Sequence, residues 1–302
     1  MVKIPHLVQY QGSKRNLAPK ILEYMPRKFT RLLEPFAGSA AISIACAIEN
    51  RAEKFIINDL NKPLVELLKI VVDEPKYAVS KYKEIWSDQH YDSIEHYYQI
   101  REKFNITNDP LFFLYLLARC VKGSVRYNAD GHFNQSPDKR RKGTCPSTME
   151  KNIFEISTLL KGKVEFHSLD YKSIIEMTLP GDIIYMDPPY QGVCGERDSR
   201  YYSGISHDEF VEVLEKLAED NISFIVSYDG KCGNKNYGKE IPITKGIKHI
   251  QLNAGRSTQA TFLGKNEITY ESLYVSSNLL KSSYSKNSKR DYNGNELFSR
   301  VS

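Results

Sequence analysis

Residues 181–190, with the sequence GDIIYMDPPY, are the most informative stretch of this 302-residue chain. The apolar run in its middle predicts a buried strand. Each proline restricts the residue before it to extended geometry, so the strand ends in a stiff corner. There the Asp187 carboxylate and the Pro188 carbonyl can accept hydrogens from one amino group, and Tyr190 offers a flat face to a planar base. This arrangement suits chemistry on the exocyclic amine of a nucleobase.

Apolar runs and helical patterns alternate on both sides of this corner. Further strands are predicted at residues 31–36, 55–58, 164–167 and 223–227. Helical patterns occur at residues 39–50, 64–72 and 210–217. This alternation favours an α/β fold with a doubly wound, mostly parallel sheet. A late strand at 268–275 is predicted to be antiparallel.

The alternation breaks between about residues 73 and 162, where tyrosine, phenylalanine and basic residues accumulate around a long loop at 123–146. We predict an inserted module at 73–160 within a discontinuous catalytic domain formed by 1–72 and 161–278. The segment 279–302 is rich in Ser, Asn and Lys and poor in apolar residues, so we predict a disordered tail.

The net charge of +5 is concentrated in one window. Residues 119–151 contain three acids and eight basic residues, which are Arg119, Lys122, Arg126, Lys139, Arg140, Arg141, Lys142 and Lys151. Such a local concentration favours a polyanionic partner. The alternative is an ordinary solvated loop rich in lysine.

Several classes of protein are disfavoured. The N-terminus has no apolar signal region, and the longest apolar stretch is too short to span a bilayer. The five cysteines form no C-x-x-C pair, which indicates free thiols in a reducing cytoplasm. No histidine and cysteine cluster has metal-ligand spacing. We therefore expect a cytoplasmic protein without a membrane partner or a metal.

The loop after the first predicted strand, residues 34–41 (EPFAGSAA), has the small residues that let a ligand approach the backbone. It lacks the G-x-G-x-x-G pattern of dinucleotide sites. Asp59 lies 21 positions after Gly38, where an acid commonly binds ribose hydroxyls. A helix N-cap is the alternative for Asp59.

Two further segments belong to the same pattern. Residues 10–14 (YQGSK) combine an aromatic residue, a glycine turn and a lysine. Asp170 follows the predicted strand at 164–167. The carboxyl edge of a parallel sheet is where ligands bind, so Asp170 is a candidate ligand contact.

Taken in order, these motifs resemble those of the Dam-like, alpha-class DNA adenine-N6 methyltransferases, over roughly residues 5–278. Residues 126–134 (RYNADGHFN) are similar to the R-x-N-x-x-G-x-F-N loop of the family's target-recognition domain. Residues 255–258 and 270–274 are similar to its C-terminal motif. The basic cluster at 138–142 departs from the pattern, because many members carry a hairpin there.

The resemblance implies a doubly wound, Rossmann-like, S-adenosylmethionine-dependent methyltransferase domain with an inserted, mainly helical target-recognition domain. It implies methyl transfer from S-adenosylmethionine to the N6 amine of a flipped-out adenine in double-stranded DNA. The implied catalytic residues are Asp187, Pro188, Pro189 and Tyr190. The implied cofactor-binding residues are Tyr10, Lys14, Glu34, Phe36, Gly38, Asp59 and Asp170. The expected DNA-binding residues are Arg119, Lys122, Arg126, Asn128, Asn134, Lys139, Arg140, Arg141 and Lys142.

Alternatives remain open at this point. An RNA adenine methyltransferase could use the same pocket, and a catalytically silent nucleic-acid-binding protein could keep the fold. Transfer to the amine of cytosine is a weaker option, because that activity usually goes with serine in place of Asp187. We expect a monomer associated with the nucleoid. It would be either an orphan enzyme or the modification enzyme of a restriction-modification system whose restriction enzyme acts separately.

Overall fold

The computed structural model describes residues 3–90, 92–189, 205–232, 235–237, 240–244, 246–256 and 268–280. The strands in these ranges are β1 (Phe29–Glu34), β2 (Ala52–Asn58), β3 (Val164–His167), β4 (Ile183–Met186), β5 (Ser223–Cys232), β6 (Lys235–Tyr237), β7 (Ile247–Arg256) and β8 (Ile268–Ser276). The α-helices are α1 (Ala18–Leu22), α2 (Ala41–Ile48), α3 (Lys62–Asp73), α4 (Pro75–Ser87), α5 (Ser93–Thr107), α6 (Pro110–Arg119), α7 (Pro146–Leu160), α8 (Tyr171–Glu176) and α9 (His207–Glu219).

The strands form one sheet in the order β3-β2-β1-β4-β5-β8-β7, and β6 pairs with β5 off this path. The five strands from β3 to β5 run parallel. Strand β8 is antiparallel to both β5 and β7. The predicted doubly wound sheet and its antiparallel late strand are therefore confirmed. The chain reverses its direction of winding between β1 and β4, and such a switch point is where α/β sheets bind ligands.

Successive residues of the central strands point to opposite faces of the sheet. Leu32 belongs to the core shared with α2, α3 and α7, whereas Leu33 belongs to the core shared with α8 and α9. Both side chains are fully buried. Because helices cover both faces, the buried halves of these strands are continuous apolar runs, such as Leu32-Leu33 in β1 and Phe55-Ile56-Ile57 in β2, instead of alternating with polar residues.

Four helices, α4 to α7, and a loop at 124–145 occupy the predicted insert. Prolines and aspartates set where these helices begin: Asp92 caps α5, and Asp109 caps α6 ahead of Pro110. Helix α7 packs against α2, α3 and α4, and Ser157 donates a 2.7 Å hydrogen bond to the Val72 carbonyl. The segment thus shares the core that covers one face of the sheet.

Several boundaries differ from the prediction by a few residues, and two of the differences have a clear physical reason. Strand β1 ends at Glu34 because Pro35, which has no N–H, follows it. The predicted disordered tail cannot begin at residue 279, because the Leu279 side chain is 2% exposed and packs in the core. Residues 281–302 lie outside the described residues. Within the described ranges, no helix combines the length and the apolar character needed to cross a bilayer.

Candidate active site

A cavity of about 340 Å³ opens at the carboxyl ends of strands β1 to β4. Its lining includes every described residue that we expected to bind cofactor or to act in catalysis, namely Tyr10, Lys14, Glu34, Phe36, Gly38, Asp59, Asp170, Asp187, Pro188 and Pro189. The carboxyl ends of neighbouring parallel strands meet at one edge, so these distant segments converge there. Tyr190 lies outside the described residues.

The Asp59 carboxylate connects the loop after β1 to the residues that follow β2. Its Oδ2 accepts a 2.9 Å hydrogen bond from the Gly38 N–H, and its Oδ1 accepts one of 2.9 Å from the Asn61 N–H. Burial raises the pKa of Asp59, and these two hydrogen bonds oppose the rise. Helix α3 begins after Asn61, so Asp59 is not its N-cap. Each carboxylate oxygen has a further lone pair, which suits a diol in the cavity.

Gly38 is required by the space around it. Its φ is +49°, and a Cβ built on it would lie 3.0 Å from Cε1 of Tyr10. The Ser13 and Ser39 hydroxyls are 3.0 Å apart, so the segment 10–14 is fastened to the same loop. A side chain at position 38 would therefore press on the Tyr10 ring and would also have to adopt the left-handed backbone conformation that favours glycine.

Two aromatic rings form an apolar wall of the cavity. The rings of Phe36 and Tyr171 are 5.1 Å apart with an interplanar angle of 34°. Asp170 precedes Tyr171 and caps helix α8 by accepting a 2.9 Å hydrogen bond from the Lys172 N–H. Tyr171 was not predicted as a site residue, although its position next to Asp170 in the sequence could have indicated that it lines the same cavity.

Glu34 lines the cavity but directs its carboxylate into the protein. Its Oε2 accepts hydrogen bonds from the Ser43 N–H at 3.1 Å and from the Ser43 hydroxyl at 2.5 Å. The side chain is almost completely buried, and this burial raises the pKa of Glu34 to about 7. Glu34 therefore ties β1 to α2, and a direct contact with a ligand remains a prediction.

Asp187 is held by an ion pair at the end of β4. The Lys14 ammonium lies 2.9 Å from Asp187 Oδ1 and 3.0 Å from Glu271 Oε1. We predicted Lys14 as a cofactor contact, and the structure places its ammonium on two protein carboxylates. Glu271 was noted only as part of a C-terminal motif, because no local pattern places β8 beside residue 14.

Arg119 must be removed from the predicted DNA-binding residues. Its side chain is 2% exposed, and its guanidinium donates hydrogen bonds to the backbone carbonyls of Asp138 and Ser93 at 2.7 and 2.9 Å. It also bonds the Arg141 carbonyl and the Gln89 side chain. A guanidinium engaged in this way inside the protein cannot reach a phosphate.

The remaining basic residues between positions 122 and 142 are exposed, as a DNA surface requires. Those in this class are Lys122, Arg126, Lys139, Arg140, Arg141 and Lys142. They differ in their partners, since Arg141 Nε lies 2.9 Å from the Asp138 carboxylate. Asn134 is exposed as well.

The loop at 124–128 contacts the cavity. Tyr127 is buried in the lining and its hydroxyl donates a 3.2 Å hydrogen bond to Asn61 Oδ1. Next to it, Asn128 Oδ1 accepts hydrogen bonds from the N–H groups of Asp130 and His132, so this side chain shapes the turn. Tyr127 was not predicted as a lining residue. The predicted DNA contacts of Arg126 and Asn128 therefore lie on either side of a residue that belongs to the cavity.

The described residues contain no group of three or more His, Cys, Asp or Glu side chains placed to hold a metal ion. Cys46 and Cys120 are buried, and Cys145 is exposed.

Comparisons with known proteins agree with this geometry. The family described as D12 class N6 adenine-specific DNA methyltransferase matches residues 10–257. The chain is 26% identical over 271 residues to the Retron Ec67 DNA adenine methylase of Escherichia coli, covering 84% of this chain and 88% of that protein. It is 26% identical over 266 residues to the DNA adenine methylase of Escherichia coli K12, covering 84% and 92%.

A third relative is the Type II methyltransferase M1.LlaDCHI of Lactococcus lactis subsp. cremoris, 27% identical over 199 residues, which are 63% of this chain and 66% of that protein. The family match spans the loop after β1, the end of β2, the loop at 124–145 and the corner after β4. The chain thus belongs to the D12 class N6 adenine-specific DNA methyltransferases.

Proposed function

We propose that this protein uses S-adenosylmethionine to methylate the N6 amine of an adenine flipped out of double-stranded DNA. The observation that carries the proposal is the continuous cavity that joins the ends of β1, β2 and β3 to Asp187 after β4. A nucleoside-sized ligand at the first three strand ends would lie next to the residues that hold the reacting amine.

The lining fits the methyl donor. Gly38 lets a ligand lie against the loop backbone, and the Asp59 carboxylate, already fixed by two backbone N–H groups, is placed to accept from a ribose diol. The Phe36 and Tyr171 rings offer an apolar wall to the adenine of the donor. When bound, S-adenosylmethionine would supply an electrophilic methyl group.

In this proposal Asp187 and Pro188 orient the target amine. The amine of adenine is a poor nucleophile because its lone pair is delocalised into the ring. Two hydrogen bonds, to the Asp187 carboxylate and the Pro188 carbonyl, would hold both N–H bonds and favour a pyramidal nitrogen. The lone pair then points at the methyl group, and the rate gain comes from positioning and electrostatics. Tyr190 is proposed to stack on the flipped base.

The DNA surface is proposed to be the exposed basic residues from Lys122 to Lys142, on the segment whose Val125 and Tyr127 line the cavity. Flipping the target costs a few kcal/mol, which contacts to the phosphates and stacking in the pocket offset. We propose that the helical segment 73–160 is the target-recognition module, and that Arg126, Asn128 and Asn134 act in site choice. The proposed catalytic domain is then 1–72 with 161–278.

The cellular setting is proposed from the relatives. M1.LlaDCHI is named as a Type II methyltransferase, whereas the Escherichia coli K12 relative is named only as a DNA adenine methylase. We propose a monomer acting on the nucleoid in the cytoplasm, either as an orphan or as the modification enzyme beside a separate restriction enzyme. Single-molecule sequencing of DNA from cells expressing the protein would give the methylated sequence.

The test of the proposed reaction uses radiolabelled S-adenosylmethionine with matched duplex DNA, duplex RNA and single-stranded DNA. We expect label in duplex DNA, on N6 of adenine after hydrolysis. The variant Asp187→Asn should lose transfer while keeping its affinity for the donor within about tenfold, or about 1.4 kcal/mol. Preferential labelling of RNA would overturn the assignment of the substrate, and near-normal turnover by Asp187→Asn would overturn the assignment of the residue.

A further inference from the structure

The Lys14 ammonium lies between two carboxylates from opposite parts of the chain. It is 2.9 Å from Asp187 Oδ1, after β4, and 3.0 Å from Glu271 Oε1, on β8. The side chains of Lys14, Asp187 and Glu271 are only 9%, 21% and 13% exposed. Charges at this depth interact more strongly than in water, because less solvent screens them.

Further groups face the same carboxylate. The charge of Asp187 contributes to raising the pKa of Glu34 and that of Tyr185, while Lys14 acts on Tyr185 in the opposite direction. Asp187 therefore lies among Lys14, Glu34, Tyr185 and Glu271. Lys14 is the cation of this group, and its position controls how well Asp187 accepts a hydrogen bond from a neutral amine.

A lysine ammonium has three N–H donors and a flexible stem. If Asp187 were the only nearby carboxylate, the whole charge of Lys14 would fall on it. The catalytic carboxylate would then be a weaker acceptor for the target amine. With Glu271 on the other side of Lys14, two carboxylates share the ammonium, and the two ion pairs together fix the position of the Lys14 side chain. The orientation of Asp187 is then fixed as well.

We propose that Glu271 is a positioning residue for methyl transfer. By sharing the Lys14 ammonium, it fixes the orientation of Asp187 and limits how much of the charge on Asp187 is neutralised. Glu271 acts through Lys14, without touching the base. This inference rests on the proposed role of Asp187.

The test compares Glu271→Gln, which removes the charge at nearly constant size, with Glu271→Asp, which keeps the charge. We expect Glu271→Gln to lower the single-turnover rate on saturating duplex DNA at least tenfold. Dissociation constants for S-adenosylmethionine and DNA should change by less than about threefold, since the residue supports the chemical step. Glu271→Asp should recover part of the rate. Glu53→Gln is the matched control, because Glu53 is an exposed strand glutamate outside the cavity lining.

The same substitution is also made in a protein that carries Lys14→Gln, which separates an effect of Glu271 on the position of Asp187 from a general effect on folding. In a Lys14→Gln protein, the substitution Glu271→Gln should change the remaining rate by less than about twofold, because the residue that carries its effect is gone. An undiminished loss in that background would overturn the proposal, as would a single-turnover rate within twofold of the parent in Glu271→Gln. Should Glu271→Gln fail to fold, Glu271→Asp replaces it: any loss of rate that it causes should shrink to less than about twofold in the Lys14→Gln background, and an undiminished loss there would overturn the proposal.

The outcomes also separate this inference from the proposed reaction. If Asp187→Asn is inactive while Glu271→Gln keeps the parental rate, only the role of Glu271 fails. If Asp187→Asn keeps turnover, the proposed function of the corner itself fails.

Discussion

The guanidinium of Arg119 donates a 2.7 Å hydrogen bond to the backbone carbonyl of Asp138. The bond joins the end of helix α6 to the start of the basic cluster at 138–142. A second hydrogen bond joins the same two residues in the opposite direction, because the Asp138 N–H donates to the Arg119 carbonyl at 2.9 Å. The exposed lysines and arginines that follow are therefore carried on a loop whose backbone is anchored in the protein interior.

The substitution Arg119→Met should lower the free energy of unfolding by about 3 kcal/mol, because buried carbonyls lose a charged donor. Urea unfolding measures this loss. DNA affinity should also fall, but the slope of log affinity against log salt should stay the same, because Arg119 contacts no phosphate. Arg27→Met is the control, since Arg27 is exposed and far from the loop in sequence. A salt slope reduced by about 0.9 without any loss of stability in Arg119→Met would show that this residue contacts DNA after all.

Replacing Lys139, Arg140 and Lys142 with alanine should weaken DNA binding and flatten its salt dependence. Each lost phosphate contact should reduce the slope by about 0.9. Arg141→Ala should reduce it less, because the Arg141 Nε pairs closely with the Asp138 carboxylate at 2.9 Å, whereas the more exposed Arg140 lies 3.6 Å from it. Titrations by fluorescence anisotropy at several salt concentrations give the slopes.

Lys28→Ala is the control for these titrations. Lys28 is exposed and precedes the amino end of β1, opposite the edge with the cavity. The full parental slope in the triple variant would show that the loop is only solvated.

Glu34→Gln should remove part of the pH dependence of stability. The pKa of Glu34 is raised from 4.5 to about 7 by burial, so between these values the folded protein holds a proton that the unfolded chain has lost. The free energy of unfolding should therefore fall as pH rises across this window, by about 3 kcal/mol in all. Glutamine resembles the protonated acid and can still accept from Ser43, so the variant should lack this fall.

Denaturant unfolding at pH 5, 6, 7 and 8 tests the effect of Glu34. The control is Glu53→Gln, which alters an exposed glutamate and should leave the pH profile intact. Parallel profiles for the parent and Glu34→Gln would mean that another buried group causes the dependence.

Gly123→Ala should disturb the contact between the N-terminal segment and the start of the loop at 124–145, where the Gln11 N–H donates a 3.2 Å hydrogen bond to the Gly123 carbonyl. A Cβ at position 123 would lie 1.2 Å from the Gln9 carbonyl oxygen, and the Gly123 φ is +60°. Gly131→Ala is a matched control, because Gly131 has a φ of +76° and a Cβ added there would meet nothing within 4 Å. Both variants carry the backbone strain, and only the first carries the clash.

Thermal unfolding should therefore show a larger loss in Gly123→Ala than in Gly131→Ala. Affinity for S-adenosylmethionine should fall in the first variant as well, since residues 10–14 line the cavity. Equal losses in the two variants would mean that the segment moves away at no cost.

Asp59→Ala should weaken binding of S-adenosylmethionine by about 1.5–3 kcal/mol, the range for hydrogen bonds to a charged group. Asp59→Asn should lose less, because its amide oxygen can still accept one bond from the backbone. Calorimetry on the free protein measures both. Unchanged affinity in Asp59→Ala would mean that this residue only joins the Gly38 loop to Asn61.

Local patterns were sufficient for much of the site. The run at 183–186 coincides with β4, because a short apolar run in a buried parallel sheet carries its own signal. The run at 164–167 coincides with β3, an edge strand in which the apolar Val164 and Phe166 alternate with polar residues. The acids at 59, 170 and 187 follow such strands, so their meeting at one edge could be predicted from the order of strands alone. The antiparallel direction of β8 was predicted too. Strand β7 was not, since its sequence IKHIQLNAGR is largely polar and lies toward the edge of the sheet.

The sequence alone thus determined the doubly wound sheet, the cavity edge and the residues that converge on it. Tertiary structure alone decided which groups the charged side chains contact. Arg119 stands among exposed basic residues in the sequence, yet it is buried because loop carbonyls fold back onto it. Lys14 lies between Asp187 and Glu271 because β8 inserts beside β5. Local sequence sets strand and helix preferences over a few residues, whereas an ion pair between distant segments exists only once the chain has packed.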